Sequence, residues 1–408
     1  MLTYIKLAWR NIWRNKRRTL ITVSAIIFAV LAAVFMQSMN RGSHEMILDN
    51  MVRFSTGYVQ LQDYRYDDES SLDNSFYYDG SVREKVLDAD PNIDMILPRI
   101  ETFMLAANDA ATRGSILLGI DPEKEHRFNE LKNRLVEGRF FEKDESSAML
   151  AKGLAERLQL SVGDTLVLMG RGRFGMTASG LYEIVGLVEF PLRDLDNQVV
   201  LIPLPEAQYL LSADDYITSL LIAPHHERHT ESVARTLNET FADDELVAYT
   251  WAELLPELLE LFEFDLAVPR LLTVVLYIVI GFGFFGTILT MTMERLREFG
   301  VLLSVGMKRG KLALVVFLET LFISLIGVMS GVAISWLIIY YFHLNPVELT
   351  GDAAQAVIDM GWDPVLPMSF AADQFYTQGF FVFAVAMIVF LFPLIKIVSL
   401  NILEAARS

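Results

Sequence analysis

A chain of 408 residues that is 53% hydrophobic is longer and more apolar than an ordinary soluble domain. Its net charge of −17 argues against nucleic acid as a partner. With no cysteine it can hold no disulfide, thiol nucleophile or thiolate metal site.

In residues 1–18, Leu2, Ile5, Trp9, Ile12 and Trp13 recur at helical spacing, with Lys6, Arg10, Arg14 and Arg17 on other faces. That pattern predicts an amphipathic elbow helix in the membrane interface, tryptophans at headgroup level and cations near anionic lipid. Residues 19–40 carry no charge and predict a first membrane span. It reads as an uncleaved anchor, because no small-x-small cleavage site follows Met39.

Residues 41–265 predict an α+β domain of two lobes, with about 120–215 inserted into a unit built from the flanks. Strands are expected at Thr56–Gln62, Ser115–Ile120, Thr165–Met169, Leu181–Val188, Ile217–Ala223 and Leu246–Thr250. Helices are expected after Ala151 and near Thr230–Phe241. Over 251–265, Leu254, Leu255, Leu258, Leu259 and Phe262 fall at helical spacing and predict a rigid stalk running towards Pro269.

Further spans are predicted at 268–293, 312–342 and 378–396, giving four in all. A basic loop, 294–311, joins the second and third, a short loop, 343–377, joins the third and fourth, and 397–408 form a tail. Lys and Arg cluster before the first span and in 294–311, whereas His343 to Gly379 has neither. The positive-inside rule then puts both termini and 294–311 in the cytoplasm and the large domain outside.

Catalytic motifs do not stand out. No Gly-x-Ser-x-Gly, His-Glu-x-x-His or paired-carboxylate pattern occurs, and His225, His226 and His229 read as a solvated helix start rather than a metal site. Gly306 to Lys311 mimics a phosphate loop but has three spacers and places Leu312 where Ser or Thr should bind magnesium. Gly327 and Gly331 form a GxxxG in the third span, and Gly281, Gly283 and Gly286 line the second, both read as packing surfaces. Glu319 is an intramembrane acid; it reads either as functional or as a side chain that snorkels or pairs with Lys311 or Arg309. The loop from Met293 to Lys311 is helix-prone, with Leu296, Phe299, Val301 and Leu302 set between charges. Its apolar side suits a groove in a cytosolic partner.

That loop, with Arg297-Glu-Phe-Gly300 followed by Val305-Gly-Met-Lys-Arg-Gly310 and then Glu319, resembles the signature of FtsX-like ABC transporter permeases, the type VII or MacB-like superfamily. The start, Ala8-Trp-Arg-Asn-Ile-Trp-Arg-Asn-Lys-Arg-Arg-Thr19, resembles the family's elbow, and Pro393 to Arg407 its closing segment. Gly138-Arg-Phe-Phe, Ala151-Lys-Gly-Leu-Ala155 and Gly163-Asp164 are similar to the MacB-like periplasmic domain. The resemblance implies an α-helical membrane protein with four transmembrane helices plus an α+β extracytoplasmic domain, resident in a bacterial inner membrane. It implies a second permease subunit, identical or homologous, and two copies of a separate cytosolic ABC ATPase that binds the ATP and Mg, with no cofactor on this chain. Glu294, Arg295, Arg297, Glu298, Phe299, Gly300 and Gly306 would couple to that ATPase.

Length and layout are closest to the lipoprotein-releasing (Lol-type, LolC/LolE-like) permeases, which pass triacylated lipoproteins to a periplasmic carrier. Acyl chains would then enter where Phe35, Met36 and Met39 face Leu266, Leu271 and Val275. The competing readings are efflux of antibiotics or peptides with a periplasmic adaptor, and FtsX-type regulation of cell-wall hydrolases.

Overall fold

The structure, a computed structural model, describes residues 2–14, 16–108, 111–256, 259–260, 267–359 and 363–399. It divides into a helical unit, Met1–Met46 with Phe262–Leu349 and Val365–Ser408, and a second unit, Ile47–Leu261 with Thr350–Pro364.

Among the described residues, four helices are long and apolar enough to cross a membrane: Thr19–Thr56, Val268–Glu294, Arg309–Leu344 and Ala372–Ile397. The elbow helix (Leu2–Arg14) precedes them. Its buried stripe is Ala8 and Ile12, whereas Ile5, Trp9 and Trp13 are left uncovered, Trp9 lying edge-on to Phe322. The fourth span is two helices, Ala372–Val389 and Leu391–Ser399, meeting at Phe390.

The first helix does not stop at Asn40. It runs without a break from Lys16 to Met51 and closes in a π-helical turn, Val52–Thr56, so the expected strand starts only at Val59. Its 36 residues rise about 54 Å at 1.5 Å per residue, well beyond a hydrocarbon core of ~30 Å. Ion pairs one turn apart support the polar half: Arg41 to Glu45 at 2.9 Å and Arg53 to Asp49 at 2.7 Å. The segment before the fourth span clasps the helix near Ser38, whose hydroxyl donates to the Ser369 carbonyl at 2.6 Å. One turn on, a Cβ at Gly42 would lie 2.4 Å from the Pro367 oxygen, so no other residue fits without a shift.

The glycine motif of the third span faces the first. A Cβ at Gly327 would meet Ile26 at 2.7 Å, and one at Gly331 would meet Val30 at 2.8 Å. Small residues allow this approach in lipid, where packing rather than hydrophobicity holds helices together. The second span behaves differently. Leu276, Tyr277, Ile280 and Phe284 turn towards the other spans, and a Cβ at Gly281 would touch Val385 at 3.5 Å. Among the described residues, nothing lies within 4 Å of a Cβ at Gly283 or Gly286, so no described neighbour packs on them. Only 11% of this span's apolar window is buried, against 44% in the third, which leaves most of its faces for lipid or another subunit.

The inserted domain is built on a ten-stranded mixed sheet, counted over the described residues. One long strand, Ile93–Ala107, serves both lobes. Its first half pairs with Ser219–Pro224, which pairs with Val59–Asp63 and so with Leu246–Thr250. Helix Thr230–Thr240 and helix Gly80–Ala89 cover this sheet through Val86, Val233 and Leu237. Its second half pairs on one side with Thr112–Ile120 and on the other with Thr165–Arg171. From there Val199–Pro203, Ser147–Ala151 and Thr177–Val188 complete a closed ring around Met104, Leu117, Met149, Leu150, Leu168 and Ile184. Closure removes the edges that an open sheet must protect. The lobes thus part within one strand at about Ile100, not at residue 120.

Arg99 lies at that junction. Its guanidinium donates to both Glu125 oxygens, at 2.6 and 2.9 Å, and to the Ser55 carbonyl at 2.8 Å, with both side chains 3% exposed. The pair therefore pins the π turn to the shared strand.

The expected stalk over 251–265 is not one helix. Helix Trp251–Leu254 ends at Leu255 (φ −122°, ψ 51°), because Pro256 disfavours helical geometry in the residue before it. Residues 257–258 and 261–266 lie outside the described residues.

These contacts predict opposite outcomes for two glycines of the spans. Gly331→Leu should lower the thermal stability of the purified protein by about 1–3 kcal/mol through overpacking. Gly283→Leu should leave it within about 0.5 kcal/mol. Equal losses in one detergent would contradict the assigned packing.

Candidate functional site

The second span ends at Glu294, and a short helix, Leu296–Ser304, turns the chain into the third. Its end is set by Gly306 at φ +100°, whose N–H donates to the Leu303 carbonyl while Met307 N–H reaches Leu302. A glycine in this region is a common helix stop, so Gly306 shapes the turn. Gly310 and Lys311 already belong to the third-span helix.

The apolar residues of this loop do not share one face. Phe299 and Leu303, one turn apart, bury against Leu312, Val316, Phe390 and Ile397, with Gly300 also covered. Leu296 is partly buried in the same cluster. Val301, Leu302 and Val305 point away and are 57%, 41% and 82% exposed. At 100° per residue the two sets fall on opposite sides of the helix. Arg297 and Glu298 flank the exposed side in sequence.

Beneath the helix lies a polar ladder. Glu319, within the third span and 5% exposed, accepts from Asn11 Nδ2 at 2.7 Å. It also accepts from Arg295, through Nη1 at Oε2 and Nη2 at Oε1, the second at 3.3 Å. Glu319 thus pairs with Arg295. Arg295 in turn has Nε 3.6 Å from Glu298 Oε2, which accepts from Arg14 Nη2 at 3.1 Å. The elbow helix is therefore attached twice, at Asn11 and, one turn on, at Arg14.

The rungs differ in strength. Arg14 and Glu298 are about half exposed, where such a pair contributes ~0–1 kcal/mol. The Arg295 and Glu319 side chains are 12% and 6% exposed, so removing one partner would strand a buried charge. Arg295 also lies over the Phe299 ring, 5.2 Å from its centroid, joining the ladder to the apolar anchor.

Of the residues expected to couple to an ATPase, Glu294, Arg297 and Glu298 are exposed. Arg295, Phe299 and Gly300 are turned into the bundle and serve as its internal fastening. Asn11 and Arg14 were not among the sequence-derived candidates. The available signal was an asparagine beside the Ala8 and Ile12 stripe, a polar group on an apolar face that needs a partner.

The described residues of the expected acyl cavity do not gather in one cluster. Phe35 packs edge-on to Phe342 of the third span, and Met39 joins the cluster around the first and third spans. Met36 is half-buried, Leu271 and Val275 are exposed, and Leu266 lies outside the described residues. In the inserted domain, His225 Nδ1 stands 3.4 Å from Asp94, and the His226 and His229 rings are 5.8 Å apart.

Arg295→Leu should destabilise the protein by about 3–5 kcal/mol, whereas Arg295→Leu with Glu319→Leu should recover most of that loss. Hydrogen exchange over 296–304 should rise in the single variant and fall back in the double. Unchanged protection in Arg295→Leu would contradict the fastening role.

The comparisons with known proteins cover both halves of the chain. The MacB-like periplasmic core domain family matches residues 19–240, and the FtsX-like permease C-terminal family matches residues 270–402. The lipoprotein-releasing system transmembrane protein LolC of Neisseria meningitidis serogroup B (strain ATCC BAA-335 / MC58) is 22% identical over 65% of this chain and 69% of its own. The pyoverdine export ATP-binding/permease protein PvdT of Pseudomonas savastanoi pv. phaseolicola (strain 1448A / Race 6) is 25% identical over 82% of this chain, which spans about half, 51%, of that relative. The periplasmic region of MacB from Actinobacillus actinomycetemcomitans aligns with 53% of this chain and 98% of its own, at 13% identity and a TM-score of 0.36. With the first family model spanning 19–240 and the second 270–402, the chain belongs to the MacB-like, FtsX-like (type VII) family of ABC transporter permeases.

Proposed function

We propose that this permease is the transmission between a separate cytosolic ABC ATPase, which binds the ATP and Mg, and substrate handling on the far side of the membrane. The observation that carries the reading is the two-faced coupling helix. Its inner face is fastened to three elements, and its outer face offers Val301, Leu302 and Val305. A partner seated on the outer side would move the second span, third span and elbow together. An interface with an apolar centre and a charged rim suits such docking. In this reading the coupling helix and both termini are cytoplasmic, the inserted domain is periplasmic, and two ATPases serve a pair of permeases, identical or homologous.

The substrate we propose is a lipoprotein, released from the inner membrane to a periplasmic carrier. Support comes from the similarity to a protein named for lipoprotein release. The long first helix would deliver the motion, and Phe35, Met36 and Met39 stand along its path. Because Leu271 and Val275 face outward, the acyl chains would meet them where two permeases adjoin. Export of a small molecule is the second reading, and the similarity to a pyoverdine exporter supports it.

Val301→Asp with Val305→Asp should fold normally, since both side chains are mostly exposed. Co-purification with the ATPase should weaken by roughly 30-fold or more, the effect of losing an interface hot spot of about 2 kcal/mol. Wild-type binding in this variant would remove the docking assignment. Release of a triacylated lipoprotein from proteoliposomes of the complex tests the substrate separately: intact ATPase coupling without release would favour export.

A further inference from the structure

We propose that the open cavity between the start of the first span and the end of the second is a binding site for one anionic glycerophospholipid. The cavity, about 870 Å3, is lined by Arg14, Lys16, Arg17 and Ile21 on one wall. Gly286, Thr287, Thr290, Met291 and Glu294 line the other. Its volume falls in the range of small-molecule sites. The two walls differ in a way that matches one class of ligand.

Among the described lining residues, the cations Arg14, Lys16 and Arg17 outnumber the carboxylate of Glu294. Arg14 is already engaged by Glu298. Among the described residues, neither Lys16 nor Arg17 has an ion-pair partner, so two cations are available for a phosphodiester. They stand in the first turn of the first-span helix, at the level where a span meets lipid headgroups.

One to two turns deeper the lining becomes apolar and narrow in side chain. Ile21 is 55% exposed and Leu20 beside it 60%. Opposite, Gly286 has nothing within 4 Å of where its Cβ would be, and Gly283, nearly one turn further, is equally bare. The Thr287 and Thr290 hydroxyls are turned back to their own helix, donating to the Gly283 and Gly286 carbonyls at 3.1 and 2.9 Å. That wall therefore presents a groove of backbone and methyl groups on which an acyl chain can lie, continuous with the cationic mouth. A soluble anion would use the mouth and leave the groove empty. A phospholipid uses both. The proposal does not depend on the substrate or on ATPase docking.

The test is lipid retention by the full-length protein in detergent, read by native mass spectrometry. Phosphatidylglycerol, phosphatidylethanolamine and phosphatidylcholine of matched chains are the probes. One phosphatidylglycerol per chain should be retained in preference to the other two. Lys16→Gln with Arg17→Gln should weaken retention by about 25-fold, at about fivefold for each cation near a headgroup. Gly286→Leu, which fills the groove without touching a charge, should also abolish preferential retention, and circular dichroism checks its fold. Lys6→Gln with Arg10→Gln, equally exposed cations outside the lining, should change nothing. Equal loss in that control, or equal retention of the three lipids, would overturn the site in favour of general surface charge. Displacement by inorganic phosphate alone, or a change of oligomeric state in Gly286→Leu with unaltered lipid retention, would overturn it equally.

Discussion

A carboxylate two turns inside an apolar span cannot be left alone, and the coupling region is arranged around that constraint. Glu319 must find donors, and it finds them on two other elements: Asn11 of the elbow and Arg295 at the mouth of the coupling helix. Each donor brings its own element into place. Arg295 sets the Phe299 ring over the apolar pocket formed by Leu312, Val316 and Phe390, and Asn11 seats the elbow beside the third span. Polar satisfaction and apolar burial therefore fix the same geometry. Their agreement gives a short helix of nine residues, far below the length at which helices are stable alone, a defined position.

A second fastening stands in the inserted domain. Arg99, Glu125 and Asn129 are all buried, and the Ser55 carbonyl completes the guanidinium's partners. Buried ion pairs of this kind contribute little net stability but resist any change that separates their members. The π turn they hold is the end of the long first helix, and its Phe54 packs edge-on to Phe190 in the hydrophobic cluster that includes the ring. Among the described residues, each unit thus has a buried ion pair beside a helix end.

Much of this was legible in the sequence, and for definite reasons. Long apolar spans declare themselves, and apolar runs marked six of the ten described strands of the main sheet but not Ile93–Ala107, which both lobes share. The glycines at 327 and 331 lie against the first span whereas those at 283 and 286 meet no described neighbour, a difference that spacing alone cannot reveal. The stalk over 251–265 was read from leucine spacing, but Pro256 breaks the helix at its second turn. The longer helix was instead the first, where the apolar run ends at Asn40 and paired charges carry the helix on. The partner of Glu319 was out of reach for a similar reason. Lys311 and Arg309 are nearer in sequence, whereas Arg295 and Asn11 come from elements that meet Glu319 only in the folded bundle. Family resemblance suggested a docking role for the loop; it did not show that Phe299 faces inward while Val301 and Val305 face out.

A ladder that fastens the helix Leu296–Ser304 to the elbow and the third span should make them move as one body. The absence of cysteine makes this directly measurable, because single cysteines can be placed and spin-labelled without a background. Labels at Arg10 on the elbow and Ser304 at the end of the coupling helix, both exposed, report the distance across the ladder in the assembled transporter. A fastening gives one narrow distance distribution, the same without nucleotide and with the ATPase trapped in its ATP-bound state. A distribution that shifts or broadens on ATP binding would contradict it, since the ladder would then be a joint that opens and not a fastening.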